Sequence, residues 1–204
     1  MNYIRITKEN IDKEHICCAM SGKQSVAKKE WLKQRFDDGL VFYRSIERGK
    51  CFIEYIPAEN AWVPIEADGY LYIDCLWVSG SMKGHGYSTD LLDECIRDAK
   101  TQNKNGICIL CAEGRKREFL ADPKFLVYKG FKVADISDCG INLMYLPLSE
   151  NAELPKFKAG DVHISVPRCR FRAAYPECVS KILRTVIPAS FPSSVRLKLP
   201  IHPC

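Results

Sequence analysis

Tyr70-Leu71-Tyr72-Ile73-Asp74-Cys75-Leu76-Trp77-Val78, then Ser79-Gly80-Ser81-Met82-Lys83-Gly84-His85-Gly86-Tyr87-Ser88, then Thr89, is the stretch on which the reading of this chain turns. The first nine residues are apolar, aromatic or β-branched apart from Asp74, and predict the strongest strand of the chain. Over residues 89–101, Leu91, Leu92, Cys95, Ile96 and Ala99 recur at helical spacing. Between strand and helix lie three glycines and three serines. A glycine-rich strand-to-helix turn lets the backbone come close to a ligand, and the helix behind it aims unpaired N–H groups and its positive dipole end at that point. With the Lys83 ammonium added, such a turn suits a diphosphate. Two familiar nucleotide loops do not fit. The Walker loop needs its lysine directly after a glycine that closes the loop, whereas Lys83 precedes Gly84 and Gly86. The Rossmann fingerprint would need a third glycine where Thr89 stands. Neither ATP nor NAD is favoured.

Working outward, residues 3–7 alternate as a short strand. Residues 8–36 read as a helical region broken at Ser21-Gly22, with Ile16, Ala19 and Met20, then Ala27, Trp31, Leu32 and Phe36 as its apolar positions, and Asp38-Gly39 ending it. Residues 40–46 and 51–56 form a hairpin about Glu47-Arg48-Gly49-Lys50. After the central strand and helix come a buried strand at 107–111, a short helix at 119–128, and closing strands at 131–134 and 141–146. The order β, helices, β, β, β, α, β, α, β, β predicts an α/β domain with a mixed sheet and helices on both faces.

The 204 residues allow one sizeable domain with a small appendage, and 47% apolar and 27% charged residues describe an ordinary globular protein. No apolar run approaches the roughly 20 residues that span a bilayer, and the start lacks a basic segment followed by an apolar one, so a cytoplasmic protein is expected. The net charge of +5 is unevenly placed. Residues 1–150 hold 21 basic and 22 acidic residues, while residues 151–204 hold 9 and 3 and eight of the eleven prolines fall from 147 onward. This sets a boundary near 150, with a domain at 1–150 and a basic, proline-rich extension at 151–204. The extension lacks aromatic-basic interleaving, so nucleic acid is not indicated as its partner. The eleven cysteines have no repeating spacing and read as free thiols. Cys108 and Cys111 match a C-x-x-C spacing, but three residues apart on a strand they face opposite ways and could not share a metal, so no metal is expected.

The glycine-rich turn resembles that of the GNAT N-acetyltransferase superfamily, where Gln or Arg, two variable residues, Gly, one variable residue, and Gly or Ala cradle the diphosphate of acetyl-CoA. Lys83 takes the first place, Gly84 and His85 the variable ones, Gly86 the required glycine, Tyr87 the next variable one and Ser88 the final small position, with Lys and Ser as departures. Leu91-Leu92 on the helix and Gly130-Phe131 downstream look like the family too, and the likeness runs over residues 3–148. The run Glu54-Tyr55-Ile56-Pro57-Ala58-Glu59-Asn60-Ala61-Trp62 and the run Trp77-Val78-Ser79-Gly80 resemble the YoaP-like bacterial branch, which carries a thioredoxin-like extension. The extension here is too short for one, and Arg168-Cys169-Arg170-Phe171 lacks the proline of a Cys-Pro redox turn.

The resemblance implies a mixed, mostly antiparallel central sheet, and acetyl transfer from acetyl-CoA to a primary amine of a small molecule or peptide in a ternary complex. It places acetyl-CoA against Leu76, Trp77 and Val78, whose main chain would polarise the thioester carbonyl, and against Lys83, Gly84, His85, Gly86, Tyr87, Ser88 and Thr89. Asp74 and Glu54 are carboxylates inside apolar strands, where burial raises the pKa toward a base's working range; Asp74 is the preferred base. For the acid, the family's tyrosine position is Leu126 here, which leaves Tyr128, two residues on, as the candidate. Tyr72 reads as pocket wall or core, Trp62 as a lining residue of the acceptor pocket, and His85 as solvent-facing. A non-catalytic acyl-CoA sensor is the alternative, and a homodimer is compatible with the sequence.

Overall fold

The computed structural model describes residues 1–16, 22–114, 120–137, 140–150 and 152–158. Strand β1 (Tyr3–Ile6) leads through turns to helix α1 (Gly22–Arg35), which a one-turn 3-10 helix and Gly39 at φ +85° bring to an end. The hairpin β2 (Val41–Ser45) and β3 (Cys51–Pro57) follows, then the two-residue β4 (Ile65–Glu66), the long β5 (Tyr70–Val78) and helix α2 (Tyr87–Thr101). Strand β6 (Gly106–Ala112), helix α3 (Pro123–Tyr128), strands β7 (Lys132–Ile136) and β8 (Ile141–Pro147), and the two-residue β9 (Lys156–Phe157) follow among the described residues. Seven strands make one sheet in the order β1-β2-β3-β5-β6-β8-β7, every pair antiparallel except β5 with β6. The expected mixed, mostly antiparallel sheet is therefore found.

Both faces of the sheet are covered, because central strands present apolar residues on both sides. Leu32 of α1 packs with Phe42, Phe52, Ile56, Tyr70, Tyr72 and Cys108 on one face. Leu91, Leu92, Cys95 and Ala99 of α2 and Leu126 of α3 pack with Ile53, Leu71, Ile73, Ile109 and Cys111 on the other. Cys108 and Cys111 thus do point to opposite faces, and among the described residues no cluster of His, Cys, Asp and Glu could hold a metal ion.

Two expectations change. The helical reading of 8–36 holds for α1, but residues 8–13 form hydrogen-bonded turns. The Asn10 side chain accepts from the Thr7 N–H and donates to the Arg5 carbonyl, an alternative to the helical ladder that asparagine offers readily. Residues 17–21, with Ala19 and Met20, lie outside the described residues. Of the helix expected over 119–128, residue 119 lies outside the described residues and what is helical in the rest is α3, started by Asp122, whose carboxylate accepts from the Lys124 N–H, with Pro123 in the first turn. A feature without any sequence signal is the small antiparallel sheet of β4 and β9, which carries contacts of the domain past residue 150. Among the described residues no helix is long and apolar enough to cross a membrane.

Candidate active site

β5 and β6 run side by side only from Tyr70↔Gly106 to Ile73↔Ile109, although β5 continues to Val78 and β6 to Ala112. The cause lies on the other edge of β5. Against β3 the register steps from Tyr55↔Ile73 to Glu54↔Cys75, which leaves Asp74 as the extra residue of a β-bulge. A bulge bends its strand and re-aims the side chains beyond it. Up to the bulge, Tyr70 and Tyr72 face α1 while Leu71 and Ile73 face α2; beyond it Cys75 and Trp77 face α1 while Leu76 and Val78 face α2. The bulge thus bends β5 where β6 leaves it, and a wedge opens between them.

That wedge holds unused main-chain donors. The Ser79 N–H donates to the Lys50 carbonyl at 2.9 Å, so the Ser79 main chain faces β3. By strand alternation Trp77 faces β3 as well, and the N–H groups of Leu76 and Val78 turn toward the opening. This is the arrangement that polarising a carbonyl in the wedge requires.

At the end of β5 the chain makes one 3-10 turn (Gly80–Met82), and Met82 is buried beneath it as an anchor. Lys83, Gly84, His85 and Gly86 are exposed. Gly84 at φ +84° and Gly86 at φ +81° hold a backbone shape that other residues adopt only with strain, and a Cβ built on either would meet nothing within 4 Å. Gly86 is also the N-cap of α2 and offers no side chain to the first-turn N–H groups, so those of Tyr87 and Ser88 have no intrahelical partner. The turn is open, glycine-lined and aimed by a 15-residue helix, which fits a diphosphate. His85 stacks on Tyr87 with ring centroids 5.4 Å apart, so its ring lies along the turn.

On the α1 face, Asp74 lines a shallow, very small cleft with Trp31, Arg35, Leu40, Ile56 and Trp62. Next to Asp74, Glu54 of β3 is buried and paired with the buried Lys28 of α1 at 2.8 Å. Burial, followed by the Glu54 charge, pushes the Asp74 carboxyl up to about 7, against the opposing pull of Lys28 and Arg35. Both sequence-proposed carboxylates thus meet in one place. The indoles of Trp31 and Trp62 meet edge-on at 5.9 Å, Lys28 Nζ lies 3.8 Å from the Trp31 ring centroid, and the Arg35 guanidinium lies 4.5 Å from that of Trp62. Tyr72 is core, as expected, and burial holds its phenol protonated.

Tyr128 stands apart from this site. The capped start of α3 fixes its phase with Leu126 buried and Tyr128 82% exposed, its ring beside Lys129. A side chain so free in solvent is not held against a leaving thiolate. Lys28, Trp31 and Arg35 are the site residues that reading the sequence missed. Their spacing of three and four puts them on one face of α1, where the lysine and arginine would usually be assigned to solvent.

The acetyltransferase (GNAT) family model matches residues 9–117, more than half of the chain. The chain belongs to the acetyltransferase (GNAT) family. An uncharacterized N-acetyltransferase of Bacillus subtilis (strain 168), YoaP, is 49% identical over 163 residues, 78% of this chain and 64% of that protein. The branch expected from the runs at 54–62 and 77–80 is the one found, and this chain spans 64% of that relative's length. Among solved structures, a ribosomal-protein-alanine N-acetyltransferase of Brucella melitensis superposes with a TM-score of 0.51 at 14% identity, covering 72% of this chain and 100% of that one. A GNAT-family acetyltransferase of Staphylococcus aureus Mu50 gives 0.50 at 14% identity, with 72% and 99% covered. Those two likenesses show the GNAT fold.

Proposed function

We propose that this GNAT-family chain transfers the acetyl group of acetyl-CoA to a primary amine by direct attack in a ternary complex. The observation that carries the reading is the parting of β5 from β6 at Asp74, with the open glycine turn at the far end of the same strand. The turn from Lys83 to Thr89 holds the diphosphate through main-chain N–H groups and the Lys83 ammonium. The N–H groups of Leu76 and Val78 stabilise the charge that gathers on the thioester oxygen, and losing one such donor typically costs about 3 kcal/mol. The amine enters from the α1 side. Asp74 takes its proton, directly or through water, as the C–N bond forms; the C–S bond then breaks and CoA leaves as a thiolate that solvent protonates. Glu54 and Lys28 keep the Asp74 proton affinity in the range where it can act. Tyr128 has no part in these steps.

Calorimetric titration with acetyl-CoA tests the first half, and binding in the micromolar range is expected. Absence of binding at near-millimolar ligand would remove the reading altogether. Thiol release across a panel of primary amines tests the second half. Binding with no release above the blank for any amine would assign the chain instead to acyl-CoA sensing.

A further inference from the structure

The interior beside Asp74 holds an ion pair. Lys28 Nζ of α1 donates to Glu54 Oε1 of β3 at 2.8 Å, with Lys28 only 7% and Glu54 3% exposed. Glu54 lies opposite Cys75 in the strand register, with Asp74 beside it as the extra residue of the bulge. Taking such a pair out of water is costly, and apolar residues of similar size often hold a fold as well. Its larger consequence is for the neighbouring carboxyl. Asp74 is half-buried, and in its protonated form its carboxyl donates to Glu54. The charged groups that face it are Glu54 on β3 and Lys28 and Arg35 on α1, and Arg35 is paired with Asp38; Tyr72, on its own strand, stays protonated.

We infer that Lys28 and Glu54 are positioning residues for one proton: Lys28 keeps the negative charge on Glu54, and the bond between the two carboxyls then places their shared proton on Asp74. The inference rests on the acetyl-transfer reading for the use of that proton, but not for its position. Two carboxyls in hydrogen-bond contact resist ionising together, so they titrate as a pair. Lys28 breaks the tie between them. The Glu54 charge raises the proton affinity of Asp74 and the Lys28 charge lowers it, so the two set it by their difference. While Asp74 is ionised, the three side chains together carry one net negative charge inside the fold. A proton taken from the amine cancels that charge, leaving cationic Lys28, anionic Glu54 and neutral Asp74, so accepting it relieves the cost of a buried charge. The proton returns to solvent from the half-buried Asp74 before the next turnover.

Carbon-13 NMR of the aspartate side-chain carboxyls in the full chain follows the titration directly, with Asp74→Asn identifying the resonance. The parent signal should move with a midpoint near pH 7. Glu54→Gln keeps the shape and removes the negative charge, so the midpoint should fall by about one pH unit or more. Lys28→Gln should raise it by a similar amount. The double variant leaves no unpaired buried charge, so it stays folded where Lys28→Gln alone does not, and its midpoint should lie above that of Glu54→Gln. An ion pair that only fastens α1 to the sheet would, once broken from either side, loosen the strand and bring the midpoint toward that of an ordinary aspartate in both single variants. Shifts in one direction for both, no shift in either, or a double variant level with Glu54→Gln would overturn the inference. These titrations involve no acetyl-CoA. Opposite shifts without thiol release for any amine would remove the transfer reading and leave this one standing; thiol release whose pH limb ignores both substitutions would do the reverse.

Discussion

Two demands meet at the Asp74 carboxyl. The proposed role as base needs a proton affinity near neutrality, and burial next to Glu54 raises the group to about 7. The same burial works against the fold. A carboxyl raised above its ordinary value keeps its proton in the folded state across a window, from about 4 to about 7, in which the unfolded chain has lost it; stability therefore falls as pH rises through that window. Asp74→Asn removes the ionisation while keeping the shape. At pH 8 the variant should be more stable than the parent by about 1–3 kcal/mol, with the difference shrinking toward pH 4. Denaturant unfolding at the two pH values measures this. In the same variant the rising limb of kcat/KM near pH 7 should vanish, with a loss of about 100-fold or more at pH 8, as for other general bases. A variant that keeps both the limb and the rate would show that the amine loses its proton elsewhere.

In the proposed reading, the unit of β5, the glycine turn and α2 is where local geometry becomes binding. Gly86 at φ +81° is at once the N-cap of α2 and the place where the main chain must stay bare. Gly86→Val should cost about 1–2 kcal/mol of stability through the left-handed backbone alone. Its effect on acetyl-CoA should be larger, a loss of about 100-fold in affinity by titration, because the branched side chain would stand where the diphosphate comes in. A folded variant with unchanged affinity would move the phosphate site elsewhere. Most of this unit was legible: nine strand-forming residues, the cluster of glycines and the periodic Leu91, Leu92, Cys95 and Ala99 mark strand, turn and helix. The bulge was not. One extra residue leaves no mark in Ile73-Asp74-Cys75, since it is the unequal pairing with β3 that defines it. Nor was the exposure of Tyr128 legible, because the phase of a six-residue helix is set by Asp122 and Pro123 rather than by the helix itself. Trp31 and Arg35 escaped notice because a weakly amphipathic helix does not declare which face meets the sheet.

Across the whole molecule, the acceptor side of the cleft depends on chain that lies far from it in sequence. Trp62 stands in the segment between β3 and β4, and β4 is held by β9, 90 residues further on. Around that pairing the Lys158 N–H donates to the Pro64 carbonyl at 2.9 Å, the Phe157 N–H to Asp135 at 2.8 Å and the Tyr70 hydroxyl to the Glu153 carbonyl at 2.9 Å, while Lys156 pairs with Glu66 at 2.9 Å. Pro155 is buried, and Phe157 packs against the same apolar cluster as Ile65, Ala67 and Tyr70. Composition set a boundary near 150, and the described residues 152–158 beyond it make contacts with residues of the 1–150 segment. A chain cut after residue 150 should therefore be less stable than one cut after residue 158 by about 2–3 kcal/mol, from the lost hydrogen bonds and the apolar surface uncovered. For a domain of this size that lowers Tm by roughly 5–10 °C. The functional effect should be one-sided. Loosening the 61–66 segment loosens Trp62 and with it the acceptor cleft, so KM for the amine should rise several-fold, whereas the diphosphate turn, anchored by Met82 and α2, should bind acetyl-CoA as before. Equal Tm and equal KM for the two lengths would show that β4 and β9 only decorate the domain. A fall in acetyl-CoA affinity would show that the two halves of the cleft are coupled through β5.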